Sequence, residues 1–219
     1  MRQFGRARHA AYTPPALMHD EALTIPAARP RPAALSITRE FLQTALLVAI
    51  LFLGMRALLQ NFRVDGPSMN PTLASGEFLW VNKAAYFQIA SQYVFGGPQR
   101  GDIAVLKSPD ATEDIDLIKR VIGMPGDHVL VDHGRVVING QLLDEPYIRF
   151  GASYTYPADG QPIVVPDGQY FVLGDNRSNS RDSHFGWFVP ADNLVGRAFV
   201  SYWPPAAWSV FPSVAYATP

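Results

Sequence analysis

Asp116-Leu-Ile-Lys-Arg-Val-Ile-Gly123, followed by Met124-Pro125-Gly126, decides the fold class. It is short, rich in β-branched residues and stopped by a Pro-Gly turn signal, so it reads as a β-strand. Alternation places Leu117, Lys119 and Val121 on one face and Ile118, Arg120 and Ile122 on the other. Both faces are apolar strips that carry one cation each. Working outward, similar runs recur: Phe78–Val81, Ile103–Leu106, Val129–Val131, Arg135–Ile138, Gln141–Leu143, Ile163–Val165, Tyr170–Leu173 and Leu194–Trp203. Asn139-Gly140 is a hairpin turn signal between two of them. With 19 prolines and 17 glycines and no long amphipathic helix, the pattern predicts a mostly β, largely antiparallel domain.

One segment breaks this pattern. Phe41–Leu59 (F-L-Q-T-A-L-L-V-A-I-L-F-L-G-M-R-A-L-L) is apolar enough for an N-terminal transmembrane helix. Nineteen helical residues at ~1.5 Å each reach about 28 Å, close to the ~30 Å hydrocarbon core. A buried core helix and the apolar region of a cleaved signal are the alternatives, but no small-x-small cleavage pattern follows at once. Residues 1–38 are Pro/Ala-rich without apolar period and read as a disordered tail. The expected organisation is tail 1–38, anchor 39–60, β-rich domain 61–212 and C-terminal tail 213–219. Arg29, Arg31 and Arg39 precede the helix and Arg63 follows it, which predicts a cytoplasmic N-terminus and an external β-domain. Ala84–Pro98 is aromatic and uncharged, and two readings stay open: a loop over the core, or a surface entering the membrane interface.

Composition removes several function classes. The net charge of −1 gives nucleic-acid binding no electrostatic support. There are no cysteines, so disulfides, thiolate metal sites and a Cys nucleophile are excluded. His128, His133 and His184 lack metal-ligand spacing and no H-E-x-x-H occurs, so no metal is expected. G-x-G-x-x-G, P-loop and G-x-S-x-G patterns are absent, leaving no foothold for nucleotides, cofactors or a hydrolase elbow.

Three stretches hold polar groups with chemistry in them. Val64–Leu73 (V-D-G-P-S-M-N-P-T-L) presents Ser68 on a Gly/Pro-stiffened turn. Taken alone, such a serine is ordinary turn chemistry. Lys119 lies among apolar neighbours, where burial disfavours the ammonium and makes it a base near neutral pH; an isolated lysine on an edge strand is otherwise a solvated one. Gly174–Gly186 (G-D-N-R-S-N-S-R-D-S-H-F-G) is dense in short side chains that bond nearby backbone, and its Asp175 is an available partner for Arg120. The coherent chemistry left by elimination is Ser68 activated by a neutral Lys119.

Ser68–Leu73, Gly101-Asp102-Ile103, Ile118–Asp127 and Gly174–Arg177 with Asn179-Ser180 and Asp182-Ser183 resemble, in order, the motif boxes of bacterial type I signal peptidases. The resemblance spans roughly residues 41–205. It implies a membrane-bound serine endopeptidase that removes signal peptides from exported preproteins after small-x-small (Ala-x-Ala) sites. It implies single-pass residence in the cytoplasmic membrane with the catalytic domain outside. By motif position it implies Ser68 as nucleophile, Lys119 as general base and Ser180 as the residue orienting the lysine amine. Arg120 and Asp175 resemble a structural ion pair, with Asp182 as further support, and Met69, Leu73 and Ile118 stand where the family lines its substrate pocket. The implied partners are preproteins and the lipid bilayer, without nucleic acid, nucleotide or cofactor. Two positions depart. Gly66 stands where some members place an oxyanion-binding serine, and His184 stands where an arginine usually follows the aspartate–serine pair. A self-cleaving repressor-like protease shares the Ser-Lys chemistry, but a DNA-binding unit would stand where the Pro-rich tail and helix are. A membrane-anchored binding domain is the non-enzymatic alternative, and it leaves both Ser68 and Lys119 unexplained.

Overall fold

The computed structural model describes residues 33–109, 112–149 and 151–212. Most of the expected N-terminal tail and all of the C-terminal one lie outside the described residues. The chain forms two compact units, residues 1–46 and 47–219.

Helix α1 spans Ala33–Leu58 and begins ahead of residue 39. Its 22 residues Ile37–Leu58 have mean hydropathy 2.0 and none of that window is buried. Phe41, Leu46, Leu51 and Leu53 all stand exposed, so the apolar surface runs round the whole helix rather than along one stripe. Length and composition suffice to cross a bilayer, since 22 residues rise about 33 Å.

Among the described residues, fourteen strands follow. They are β1 (Leu59–Arg63), β2 (Phe78–Asn82), β3 (Gln88–Ile89), β4 (Gln92–Tyr93), β5 (Ile103–Lys107), β6 (Asp116–Gly123) and β7 (His128–Asp132). The rest are β8 (Arg135–Ile138), β9 (Gln141–Leu142), β10 (Ile163–Val164), β11 (Gln169–Leu173), β12 (Val189–Pro190), β13 (Leu194–Trp203) and β14 (Ser209–Val210). The main sheet runs β1-β2-β13-β5-β6-β11-β12, with β14 also on β13; a second sheet runs β10-β7-β8-β9. Every pairing is antiparallel. Asn139 and Gly140 both take positive φ (52° and 81°) in the turn between β8 and β9, the conformation that this dipeptide favours.

The expected mostly β class, with one N-terminal apolar helix, is therefore the observed one. The main sheet is buried on both faces. Ile103 and Val105 of β5 enter a core with Val64, Met69, Leu73, Leu79, Val81 and Ala198. Ala104 and Leu106 enter a second core with Val121, Tyr170 and Val172. Phe171 and Leu173 of β11 turn to a third, shared with Ile122 and the second sheet. This is why β5 and β11 read as continuous apolar runs rather than alternating ones. β1 escapes sequence reading, because Leu-Gln-Asn-Phe-Arg has neither alternation nor β-branched residues. It is a strand because β2 offers it an edge, pairing Leu59 with Asn82 through to Arg63 with Phe78. In Ala84–Pro98, Tyr86 is buried whereas Phe87, Ile89, Val94 and Phe95 are exposed, so the segment covers core with one ring and presents apolar surface with the rest.

Candidate active site

Ser68 stands on a single helical turn. Leu73 N–H donates to Met69 O at 2.9 Å, and Asn70 N–H donates to Pro67 O at 3.0 Å. Met69 and Leu73 are four apart, so both fall on one face of that turn. They are 1% and 0% exposed and sink into the first core. Anchoring that face leaves Ser68, on the other side, half-buried at the surface. Gly66 enters the turn at φ 85°, a left-handed angle that glycine takes at no steric cost, and its N–H donates to Ser75 Oγ at 3.2 Å. The far end is held by Glu77, which sequence reasoning passed over. Its buried carboxylate accepts from Ala74 N–H at 3.0 Å and from Ser201 Oγ at 2.7 Å, tying the turn to β13.

Lys119 approaches from β6. Its Nζ donates to Ser68 Oγ at 2.9 Å and to Ile118 O at 3.1 Å. Leu117 and Val121, on the same strand face, pack in the second core, and Lys119 itself is 3% exposed. Burial pushes its ammonium from 10.5 down to about 8, with the nearby Asp182 carboxylate pulling the other way. The spacing of 51 residues between the two groups is bridged by the sheet, since β6 is held between β5 and β11.

Gly174–Gly186 closes the arrangement. Asn176 N–H donates to Ser68 O at 3.0 Å and Asn176 Nδ2 to Pro67 O at 3.2 Å, so this loop holds the serine turn by its backbone. The approach is close: a Cβ on Gly174 would lie 2.4 Å from Ser68 O and 2.2 Å from Ser180 Oγ, so only glycine fits. Ser180 is 9% exposed, and its Oγ has no hydrogen-bond partner among the described residues. Asp175 bonds Arg120 in two-point fashion, with Nε to Oδ1 at 2.8 Å and Nη2 to Oδ2 at 2.6 Å. Arg120 also donates to Gly101 O at 2.8 Å and lies 3.8 Å over the Tyr147 ring. Arg177, fully buried, donates to Gly174 O at 3.2 Å and to Glu145, joining the loop to the segment between β9 and β10. Ile118 is half-buried against the first core, beside Met69 and Leu73.

Asp182 is fully buried. It accepts Gly174 N–H at 2.8 Å and the His184 Nδ1–H at 2.6 Å, while the His184 ring stacks on Tyr154 at 4.4 Å. An arginine at position 184 supplies the same donor and also stacks on aromatic rings. His184→Arg is therefore expected to melt within a few degrees of the parent. His184→Ala takes a donor from a buried carboxylate and should cost about 1–3 kcal/mol. Thermal melts of the two variants check this, and equal losses in both would remove the pairing argument. Among the described residues no group of His, Asp or Glu has metal-binding geometry.

Residues 37–203 match the family model described as signal peptidase, peptidase S26. The chain is 42% identical over 167 residues to "Probable signal peptidase I-2" of Synechocystis sp., covering 74% of this chain and 72% of that protein. It is 41% identical over 181 residues to "Signal peptidase I" of Leptolyngbya laminosa, covering 80% and 84%. It is 36% identical over 166 residues to "Signal peptidase I" of Bacillus amyloliquefaciens, covering 72% and 80%.

Proposed function

Since the chain belongs to the signal peptidase family, peptidase S26, whose members are proteases, we propose that it is a membrane-bound serine endopeptidase that cuts exported preproteins after small-x-small sites. The observation that carries this reading is the 2.9 Å contact between Ser68 Oγ and a desolvated Lys119 Nζ. Neutral Lys119 takes the Ser68 proton as Oγ attacks the scissile carbonyl. The resulting ammonium returns that proton to the leaving amine as the C–N bond breaks. Water then cleaves the acyl-serine ester, with Lys119 again accepting and returning a proton. The backbone N–H of Ser68 serves the oxyanion, and Gly66 adds no hydroxyl to it.

The other roles follow in the same reading. Ser180 orients the lysine amine; its buried Oγ, unpartnered among the described residues and packed on Gly174, is available for that bond. Arg120, Asp175 and Asp182 hold the loop that carries it. Met69, Leu73 and Ile118 form the floor for the residues at −1 and −3. Met69 and Leu73 are buried beneath the serine turn, an apolar floor of the kind that small side chains suit. The apolar helix ending at Leu58 is the anchor, the expected bound of 60 giving up Leu59 and Gln60 to β1, and the β-rich part that follows is the peptidase domain. Arg29, Arg31 and Arg39, ahead of the apolar run that starts at Phe41, keep the N-terminus cytoplasmic and the peptidase domain on the extracytoplasmic side.

Incubating the detergent-solubilised full chain with a preprotein that carries an Ala-x-Ala site, and sequencing the products, tests the reading. One cut after the second alanine is expected, blocked by a bulky residue at −1; cleavage indifferent to −1 and −3 overturns it. Log kcat/KM should rise with pH at a slope near one, then level off above about 8 as Lys119 loses its proton. A profile that is flat from mildly acid to alkaline pH contradicts a lysine base.

A further inference from the structure

The hairpin of β3 and β4 is built inside out. Gln88 faces Tyr93 and Ile89 faces Gln92 across its strands, and Val94 N–H donates to Phe87 O at 3.0 Å, which makes Phe87 and Val94 the next pair. Alternation sends Gln88 and Tyr93 to one side of the hairpin and Phe87, Ile89, Gln92 and Val94 to the other. The first side is fastened to the protein. Gln88 Nε2 donates to Ala191 O at 3.4 Å, and the Tyr170 hydroxyl donates to Tyr93 Oη at 3.0 Å. Just ahead of β3, the buried Tyr86 donates its hydroxyl to Asp102 Oδ2 at 3.1 Å. Polar groups thus hold the hairpin down while apolar ones point away. Phe87, Ile89, Val94 and Phe95 are all exposed, Ile89 at 62% and Phe95 at 65%. In water, the free face of an antiparallel pair carries polar side chains instead.

The position of the hairpin says what suits that face. Lys83 N–H donates to Leu58 O at 2.8 Å, so the hairpin starts within a few residues of the last turn of α1. Ala57 and Leu58 line a groove of about 560 Å³ together with Phe87 and Phe95. The exposed apolar surface of α1 therefore runs on to the aromatic rings of the hairpin. Ala84–Pro98 contains no Asp, Glu, Lys, Arg or His, and the exposed Lys83 stands at its base. Apolar side chains level with a helix end, with a cation at their edge, match the boundary between acyl chains and phosphates.

We propose that the outward face of this hairpin rests in the interfacial layer of the lipid bilayer, a second membrane contact beside α1. The proposal rests on the reading of α1 as the membrane anchor. A single helix leaves the domain attached to it free to swing about the helix end. A second contact fixes the tilt of the domain, and with it the height of Ser68 above the lipid.

The chain has no cysteine, so single introduced cysteines are labelled uniquely. The test uses the full chain in phosphatidylcholine–phosphatidylglycerol vesicles, with spin labels on Ile89→Cys and Phe95→Cys. Each label reports collisions with oxygen, which concentrates in lipid, and with a nickel chelate, which stays in water. Val48→Cys, within α1, gives the lipid reference, and Asp114→Cys, at a fully exposed side chain, gives the water reference. The oxygen-to-nickel ratio at positions 89 and 95 is expected to exceed that at 114 several-fold. It should fall to the water value when Phe87→Glu and Val94→Glu, both at exposed positions, are added. Ratios at 89 and 95 equal to that at 114 overturn the proposal, as do ratios that the two glutamates leave unchanged. Few collisions with either reagent would show the face covered by protein, a second copy or a partner, and overturn it too. A Val48 label that meets water as freely as the one at 114 removes the anchor reading instead.

Discussion

Lys119→Met is expected to abolish cleavage and, at neutral pH, to make the fold more stable. Activity should fall by at least about 10⁴-fold, because removing one member of a nucleophile–base pair disables the unit. Ser68→Ala should fall as far, with a melt close to the parent's. The stability gain has a separate origin. The Lys119 ammonium is lowered from 10.5 to about 8, so below pH 8 the folded state carries a charge stripped of water. Methionine of similar length removes that cost, about 3 kcal/mol at most, since a tenfold change in proton affinity is ~1.4 kcal/mol. Between pH 8 and 10.5 the unfolded parent binds a proton that the folded parent does not, so the parent's stability rises through this window. The advantage of methionine should shrink over the same window and vanish above it. Melts of both proteins from pH 6 to 11 measure it. An inert but less stable Lys119→Met at pH 7 would show that the lysine holds the fold, and retained cleavage would end its role as base.

Asp175→Ala should produce the largest loss of stability. Arg120 has a side chain 5% exposed and Asp175 1%, joined by two bonds of 2.8 and 2.6 Å. Removing the carboxylate leaves Nε and Nη2 of a buried guanidinium without these bonds, at about 3–5 kcal/mol. For a chain of this size that is on the order of 10 °C in Tm. Activity should fall as well, since Asp175 begins the loop whose Asn176 holds the Ser68 and Pro67 carbonyls. The double variant Arg120→Met/Asp175→Leu should recover much of the stability, because replacing both charges removes the desolvation cost on both sides. Equal losses in the single and double variants would show that packing, rather than the charge pair, dominates there. A thermodynamic cycle over the four proteins isolates the coupling.

Part of the site is legible in the sequence alone. Arg120 and Asp175 are legible as partners because a buried cation on an apolar strand face needs a carboxylate. Alternation marks Lys119, and its stiff turn marks Ser68. Glu77 goes unread, since one acid in Gly76-Glu77-Phe78 has nothing local to mark it; its partner Ser201 is 124 residues away. Arg177 read as one polar residue among many, yet it is among the most buried side chains in the protein. Gly174 read as a loop start; its meaning is the space it leaves between Ser68 and Ser180.

What the sequence by itself determined is what short-range physics controls. The apolar run of α1, the period-two pattern of β6 and the Asn139-Gly140 turn depend on neighbours within a few residues. The tertiary structure alone decided which strands lie side by side, and with them every contact between distant segments. β1 became a strand only through the edge of β2. Ser68 meets Lys119 across 51 residues because Met69 and Leu73 sink the serine turn into the core that Ile118 of β6 packs against. Such contacts arise from apolar burial and packing, which act between surfaces regardless of chain separation and so leave no local mark in the sequence.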